Sequence, residues 1–192
     1  MTHSAPYKTF YEHLKRFSAI EENEYAEILP YFSKKQCHKD DVLVKQGQKV
    51  TQTYWVVKGL LISTFLDENG KEHAIQFANE GCWITDQHAF YNGQLSKFNI
   101  ICLENTALLS ITFADREKLC TDFPKMNTFF RRKGNDSFVK QQERLLTYMT
   151  QDATERFYLL IREYPDLIQR ISKKVLASYL GVSRETLSRL RK

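Results

Sequence analysis

Near the end of this 192-residue chain, Arg184, Glu185, Ser188, Arg189 and Lys192 fall at a spacing that puts them on one side of a helix, with Leu187 and Leu190 on the other. Ser183, just before them, is a candidate N-cap. A guanidinium, a carboxylate and a hydroxyl held side by side offer directional donors and acceptors, so this polar face is suited to reading a surface.

The charge around it narrows the kind of surface. Residues 169–192 hold seven basic side chains (Arg170, Lys173, Lys174, Arg184, Arg189, Arg191 and Lys192) against the single acid Glu185, a net +6. The whole chain carries +5, so the preceding 168 residues sum to −1. A near-neutral body with a basic end points to a phosphate-rich partner, because clustered Lys and Arg gain affinity by releasing condensed counterions.

Other chemistry is poorly supported. Cys37, Cys82, Cys102 and Cys120 form no C-x-x-C pair, and His3, His13, His38, His73 and His88 form no H-x-H or H-E-x-x-H group. We therefore expect neither a metal site nor catalytic residues. A nucleophile elbow, a P-loop and a dinucleotide-binding glycine fingerprint are also missing. The 25 aromatic residues argue for a packed core, and no stretch reaches the roughly 18 apolar residues of a spanning helix. The expectation is a soluble, cytoplasmic protein without membrane contact.

The elements that must carry the polar face follow from periodicity. Phe10, Leu14 and Phe17, then Tyr25, Ile28, Leu29 and Phe32, recur at helical spacing and predict two short helices. From Cys37 to Thr112 the chain turns to short runs of β-branched and aromatic residues (VLVKQ, TYWVVK, LLISTFL, HAIQFA, FNIICLE, ALLSIT) separated by glycine turns, the texture of a barrel or sandwich. Asn69-Gly70 predicts a type I′ hairpin turn. After Phe113 helical spacing returns. Phe130, Gly134, Phe138, Gln141, Leu145 and Tyr148 are separated by 4, 4, 3, 4 and 3 residues, a seam through which a helix could pair with its own copy. DATERFYLLIREYP predicts a further helix stopped by Pro165.

Lys173 to Lys192 then read as a helix-turn-helix. Ser172 caps the first helix, Leu176 and Leu180 form its inner face, Ala177 permits a close crossing and Gly181 sits at the bend. Val182, Leu187 and Leu190 complete the shared core. In such a unit the second helix enters the DNA major groove.

A β-rich N-terminal module, a long helix and a terminal KKVLASYLGVSRETLSRLRK together resemble the Crp/Fnr family of bacterial transcription regulators, over about residues 20–192 and most strongly in SRETLSR. The resemblance implies an α+β fold: an N-terminal double-stranded, jelly-roll-like β-roll like the cyclic-nucleotide-binding domain, a long dimerisation helix over about 115–148, and a small all-α helix-turn-helix domain. It implies a sensory domain over 1–148 and a DNA-binding domain over 149–192. It also implies double-stranded DNA, a second copy of the chain and RNA polymerase as partners. Arg184, Glu185 and Arg189 match the positions that read DNA. An Arg can donate to guanine O6 and N7, and a Glu can accept from cytosine N4.

Two departures from the family pattern bear on function. Members that bind cyclic nucleotides show Gly-Glu-Leu followed ten residues on by Arg-Ser or Arg-Thr, whereas this chain has Thr85-Asp86-Gln87 and Ser96-Lys97. Asp86 could accept a ribose hydroxyl, but the phosphate arginine is absent. An effector pocket built on Asp86, Ser96 and Lys97 is thus not expected to take cyclic AMP, and the effector, if one exists, is not named by the sequence. Family members also continue into a β-wing, and this sequence stops at Lys192, so phosphate contacts are expected from Lys173, Lys174, Arg191 and Lys192 or from the partner subunit.

The resulting expectation is a homodimeric DNA-binding regulator, not an enzyme, in which an effector in the roll would reset how the long helices pair. Competing expectations are an effector-independent regulator with the roll as dimer scaffold, a cupin-like enzyme, and a redox or haem sensor.

Overall fold

A computed structural model describes residues 5–190. Its order is α1 (Ala5–Phe17), α2 (Glu22–Ile28), a 3₁₀ turn (Leu29–Tyr31), β1 (Ser33–Cys37), β2 (Val42–Val44), β3 (Gln52–Lys58), β4 (Leu61–Leu66), β5 (Glu72–Ala78), β6 (Trp83–Ile84) and α3 (Gln87–Asn92). There follow β7 (Asn99–Cys102), β8 (Thr106–Thr112), α4 (Phe113–Asp122), α5 (Pro124–Thr150), α6 (Ala153–Glu163), α7 (Leu167–Arg170), α8 (Lys173–Leu180) and α9 (Arg184–Leu190). Among these, no helix is long and apolar enough to cross a membrane.

The strands form two four-stranded antiparallel sheets, ordered β1-β8-β3-β6 and β2-β7-β4-β5. Their shared interior holds Tyr54, Val56, Leu61, Ile84, Ile100 and Leu108. The period of two then sends Trp55 and Leu109, paired across β3 and β8, to the opposite face, where Phe10, Leu14, Tyr25, Ile28 and Phe129 cover them. Both faces of β3 and β8 are therefore buried, which is why these strands read as continuous apolar runs.

Two expectations change. The long helix starts later than residue 115, because Phe123 leaves helical geometry ahead of Pro124, which opens α5 at its first position. The β4–β5 hairpin is not closed by a type I′ turn. Gly70 N–H bonds to the Asp67 carbonyl at 3.0 Å, and only glycines and Asp40 have positive φ among the described residues. A type I turn with Gly70 (φ +76°) in the left-handed position fits, and Asp67 Oδ1 holds it by accepting from Asn69 and Lys71 N–H.

A third core joins the C-terminal helices to the roll. Phe157, Leu160, Leu167, Leu176, Ala177, Leu180 and Leu187 pack around Leu60, which lies between β3 and β4 and is fully buried.

Candidate nucleic-acid interface

The C-terminal unit is built by local chemistry that the sequence announces. Ser172 Oγ accepts from Val175 N–H at 3.3 Å and starts α8. Gly181 ends it at φ +70°, with Val182 N–H returning to the Ala177 carbonyl at 3.0 Å. Ser183 Oγ accepts from Thr186 N–H at 3.1 Å and starts α9. Leu176, Ala177, Leu180 and Leu187 are buried between the two helices.

This leaves Arg184, Glu185, Ser188 and Arg189 exposed along α9, and Ser183 exposed at its cap. The Glu185 carboxyl is held below its usual range, first by backbone hydrogen bonding at the helix start, then by Ser183, Arg184 and Arg189. Arg189 makes one long contact of 3.4 Å with Thr186 Oγ1, so its fork is not spent inside the protein. Lys173 and Lys174 are exposed at the start of α8. Arg191 and Lys192 lie outside the described residues.

Arg170, one of the seven basic residues of the terminal segment, has a different use. It donates through Nε and Nη2 to Glu104 at 2.9 and 2.8 Å, and through Nη1 and Nη2 to Glu80 at 3.0 and 3.1 Å. Two roll carboxylates consume this cation, so it does not add to a phosphate-facing surface. Nothing in the sequence linked residues 66 and 90 positions apart.

The effector-pocket residues are brought together, but by each other. Asp86 is buried and caps α3, accepting from Ala89 N–H at 3.1 Å and Lys97 N–H at 2.8 Å. The buried Ser96 hydroxyl has one proton to share between Asp86 Oδ2 at 3.1 Å and the Phe98 carbonyl at 2.9 Å, and it accepts from Phe98 N–H. The Lys97 side chain is exposed. The Asp86 carboxylate thus has three protein donors within reach.

The seam on α5 divides. Phe130 is half-buried against the roll, with the Arg116 guanidinium 4.3 Å from its ring centre. Tyr148 donates from its hydroxyl to the Tyr179 carbonyl, and Arg144 and Arg156 lie over its ring, so it fixes α5 to α8 within the chain. Between them Gly134, Phe138, Gln141 and Leu145 are exposed, Phe138 by 64% and Leu145 by 61%. Val139, Leu146 and Met149 extend the exposed apolar stripe. A single line of helical spacing does not reach these residues, because a packing face is wider.

No three His, Cys, Asp or Glu side chains converge as a metal site among the described residues. Burial pushes the Cys102 thiol up to about 12 and the other three cysteines upward as well, which leaves them poor nucleophiles.

Comparison with known proteins agrees with this geometry. The cyclic nucleotide-binding domain family matches residues 34–123. An anaerobic regulatory protein of Aggregatibacter actinomycetemcomitans is 27% identical over 168 residues, covering 82% of this chain; the chain spans 65% of that relative's length. The cAMP-activated global transcriptional regulator CRP of Salmonella typhimurium is 23% identical over 163 residues, 78% of this chain and 76% of the relative. Among solved structures, FixK2 from Bradyrhizobium japonicum superposes with a TM-score of 0.70 at 17% identity, covering 83% of this chain and 82% of its own. The Thermus thermophilus catabolite activator protein does so with a TM-score of 0.61 at 20% identity, over 93% and 84%. With a β-roll, a long helix and a capped helix-turn-helix in that order, the chain is similar along most of its length to regulators of the Crp/Fnr family.

Proposed function

We propose that the protein is a homodimeric, sequence-specific DNA-binding transcription regulator acting in the cytoplasm. The observation that carries this reading is the pair of capped helices α8 and α9 with Arg184, Glu185, Ser188 and Arg189 exposed on one of them. Inserted in the major groove, Arg184 and Arg189 can each present a two-pronged donor to guanine while Glu185 accepts from cytosine. Lys173 and Lys174, with Arg191 and Lys192, supply phosphate contacts that fix register without reading sequence. The exposed stripe from Gly134 to Met149 pairs α5 with its copy, and the two-fold axis sets two reading helices about one DNA turn apart. Such a dimer would act on transcription through RNA polymerase. Selection of bound sequences from random duplex DNA tests the reading: a two-fold symmetric motif supports it, and no enrichment refutes it.

One observation favours a roll that serves as scaffold over a roll that senses cyclic nucleotide. Asp86 is engaged by Ala89, Ser96 and Lys97, and Ser96 stands where a phosphate-binding arginine would be needed. A buried cyclic phosphate left without a cation costs several kcal/mol, on the order of the whole affinity of a weak ligand.

A further inference from the structure

The docking of the C-terminal unit on the roll does more than hold two domains together. Leu60, at the turn between β3 and β4, is the knob: it is fully buried in that unit's core. Glu80 and Glu104 flank it and take both forks of Arg170. Glu80 is itself held, because its Oε1 accepts Gly59 N–H at 2.8 Å, at a glycine packed so closely on Thr106 that a Cβ there would lie 2.5 Å from Thr106 Oγ1. A second contact lies on α8. Ser178 Oγ accepts from Ala74 N–H at 3.1 Å and lies 3.1 Å from the Glu72 carbonyl, so one hydroxyl satisfies two backbone groups on the open edge of β5. The Tyr179 ring packs 4.7 Å from Phe77 beside it.

None of these contacts uses a reading-face residue, and Lys173, Lys174, Arg184, Glu185, Ser188 and Arg189 stay exposed in the docked unit. The docking leaves that face open and fixes its orientation on the roll.

We propose that Arg170 and Ser178 are positioning residues for DNA reading: through Glu80, Glu104 and the β5 edge they lock the helix-turn-helix to the roll in its DNA-binding orientation. The proposal rests on the DNA-binding reading above. Locking α8 before DNA arrives removes the cost of ordering it on the duplex, the usual gain of preorganisation. Arg170, though it lies in the basic segment, is then not a phosphate contact.

The test uses the full-length protein and a duplex selected with the wild type from random DNA. The double variant Glu80→Gln/Glu104→Gln keeps Arg170 and the Gly59 hydrogen bond but weakens the ionic clamp. We expect operator binding about tenfold weaker with an unchanged salt slope, and about tenfold faster amide exchange at Ala74 without DNA, as the helix-turn-helix leaves the β5 edge. Ser178→Ala should act in the same direction on both readouts. Thermal unfolding midpoints verify that the variants are folded. If Arg170 is instead a phosphate contact, releasing it from two carboxylates tightens binding, and Arg170→Ala lowers the salt slope by about 0.9. Tighter or unchanged operator binding, or unchanged Ala74 exchange, overturns the proposal. A wild type that enriches no sequence refutes the DNA-binding reading itself, and the exchange measurement still decides whether the lock exists.

Discussion

Oδ2 of Asp86 accepts the backbone N–H of Lys97 at 2.8 Å, joining the start of α3 to the segment eleven residues downstream. Here one carboxylate spans them directly, with Ser96 as a further partner. A chain with Asp at 86 and Ser at 96 can close this segment upon itself without importing a cation.

Asp86→Ala should therefore cost stability whether or not any ligand is present. It removes the α3 cap and strips a buried acceptor from Lys97 N–H and Ser96, together about 2–4 kcal/mol. Asp86→Asn, which keeps an acceptor oxygen, should lose less. Urea unfolding reads both. Cyclic AMP should bind the wild type more weakly than about 100 µM, roughly 5.5 kcal/mol. Low-micromolar calorimetric binding abolished in Asp86→Ala would overturn this account of the roll.

Phe138→Glu should yield monomers, because it places a charge in the middle of the exposed α5 stripe. Gly134 adds a second probe. A helix-interior glycine costs about 1 kcal/mol relative to alanine, yet nothing within its own chain lies within 4 Å of where a Cβ would stand. If the glycine admits a partner helix, Gly134→Leu should weaken the dimer without unfolding the protomer. Sedimentation at micromolar concentration distinguishes the cases, and a monomeric wild type would assign the stripe another role.

His13 makes stability depend on pH. Its Nε2 accepts from Trp83 Nε1–H at 3.0 Å, which requires a neutral ring. Burial, then Lys133 and Arg16, lower its pKa to about 4 from 6.5. Between those values the unfolded chain binds the proton and the folded chain does not, so folding stability falls as pH drops from 6.5 and levels off below about 4. Partial exposure tempers the effect to on the order of 1–2 kcal/mol. His13→Gln, which can still accept from Trp83, should remove this part of the pH dependence. The same slope in variant and wild type would show that His13 is not its source.

Much of this architecture was legible because local chemistry fixes it. Ser172, Gly181 and Ser183 mark α8, its bend and the start of α9 by capping alone, and the inner leucines follow the helical period. Asn69-Gly70 announced a hairpin but not its turn type, since the Asp67 side chain decides between compatible geometries. β1 and β6 went unread. The SKKQC sequence of β1 has little apolar signal and is held by pairing with β8, and β6 is only two residues long. Long-range relations were invisible in principle: that Arg170 meets Glu80 and Glu104, or that Tyr148 turns to Tyr179, depends on how the chain returns on itself.

Lys173→Ala should weaken binding to every duplex by a similar factor and lower the salt slope by roughly one ion, as loss of a phosphate contact does. Parallel salt titrations on selected and unrelated duplexes check this. A loss confined to the selected duplex would make Lys173 a base reader.

Whether the exposed face of α9 reads base sequence is decided by the affinity of wild type, Arg184→Ala and Glu185→Ala for a wild-type-selected operator and for each of its single-base variants. Each substitution should flatten discrimination at its own symmetric pair of positions, by about 1–3 kcal/mol, while affinity for unrelated DNA changes little between wild type and Glu185→Ala. Unchanged base preference in both variants would contradict base reading by this face.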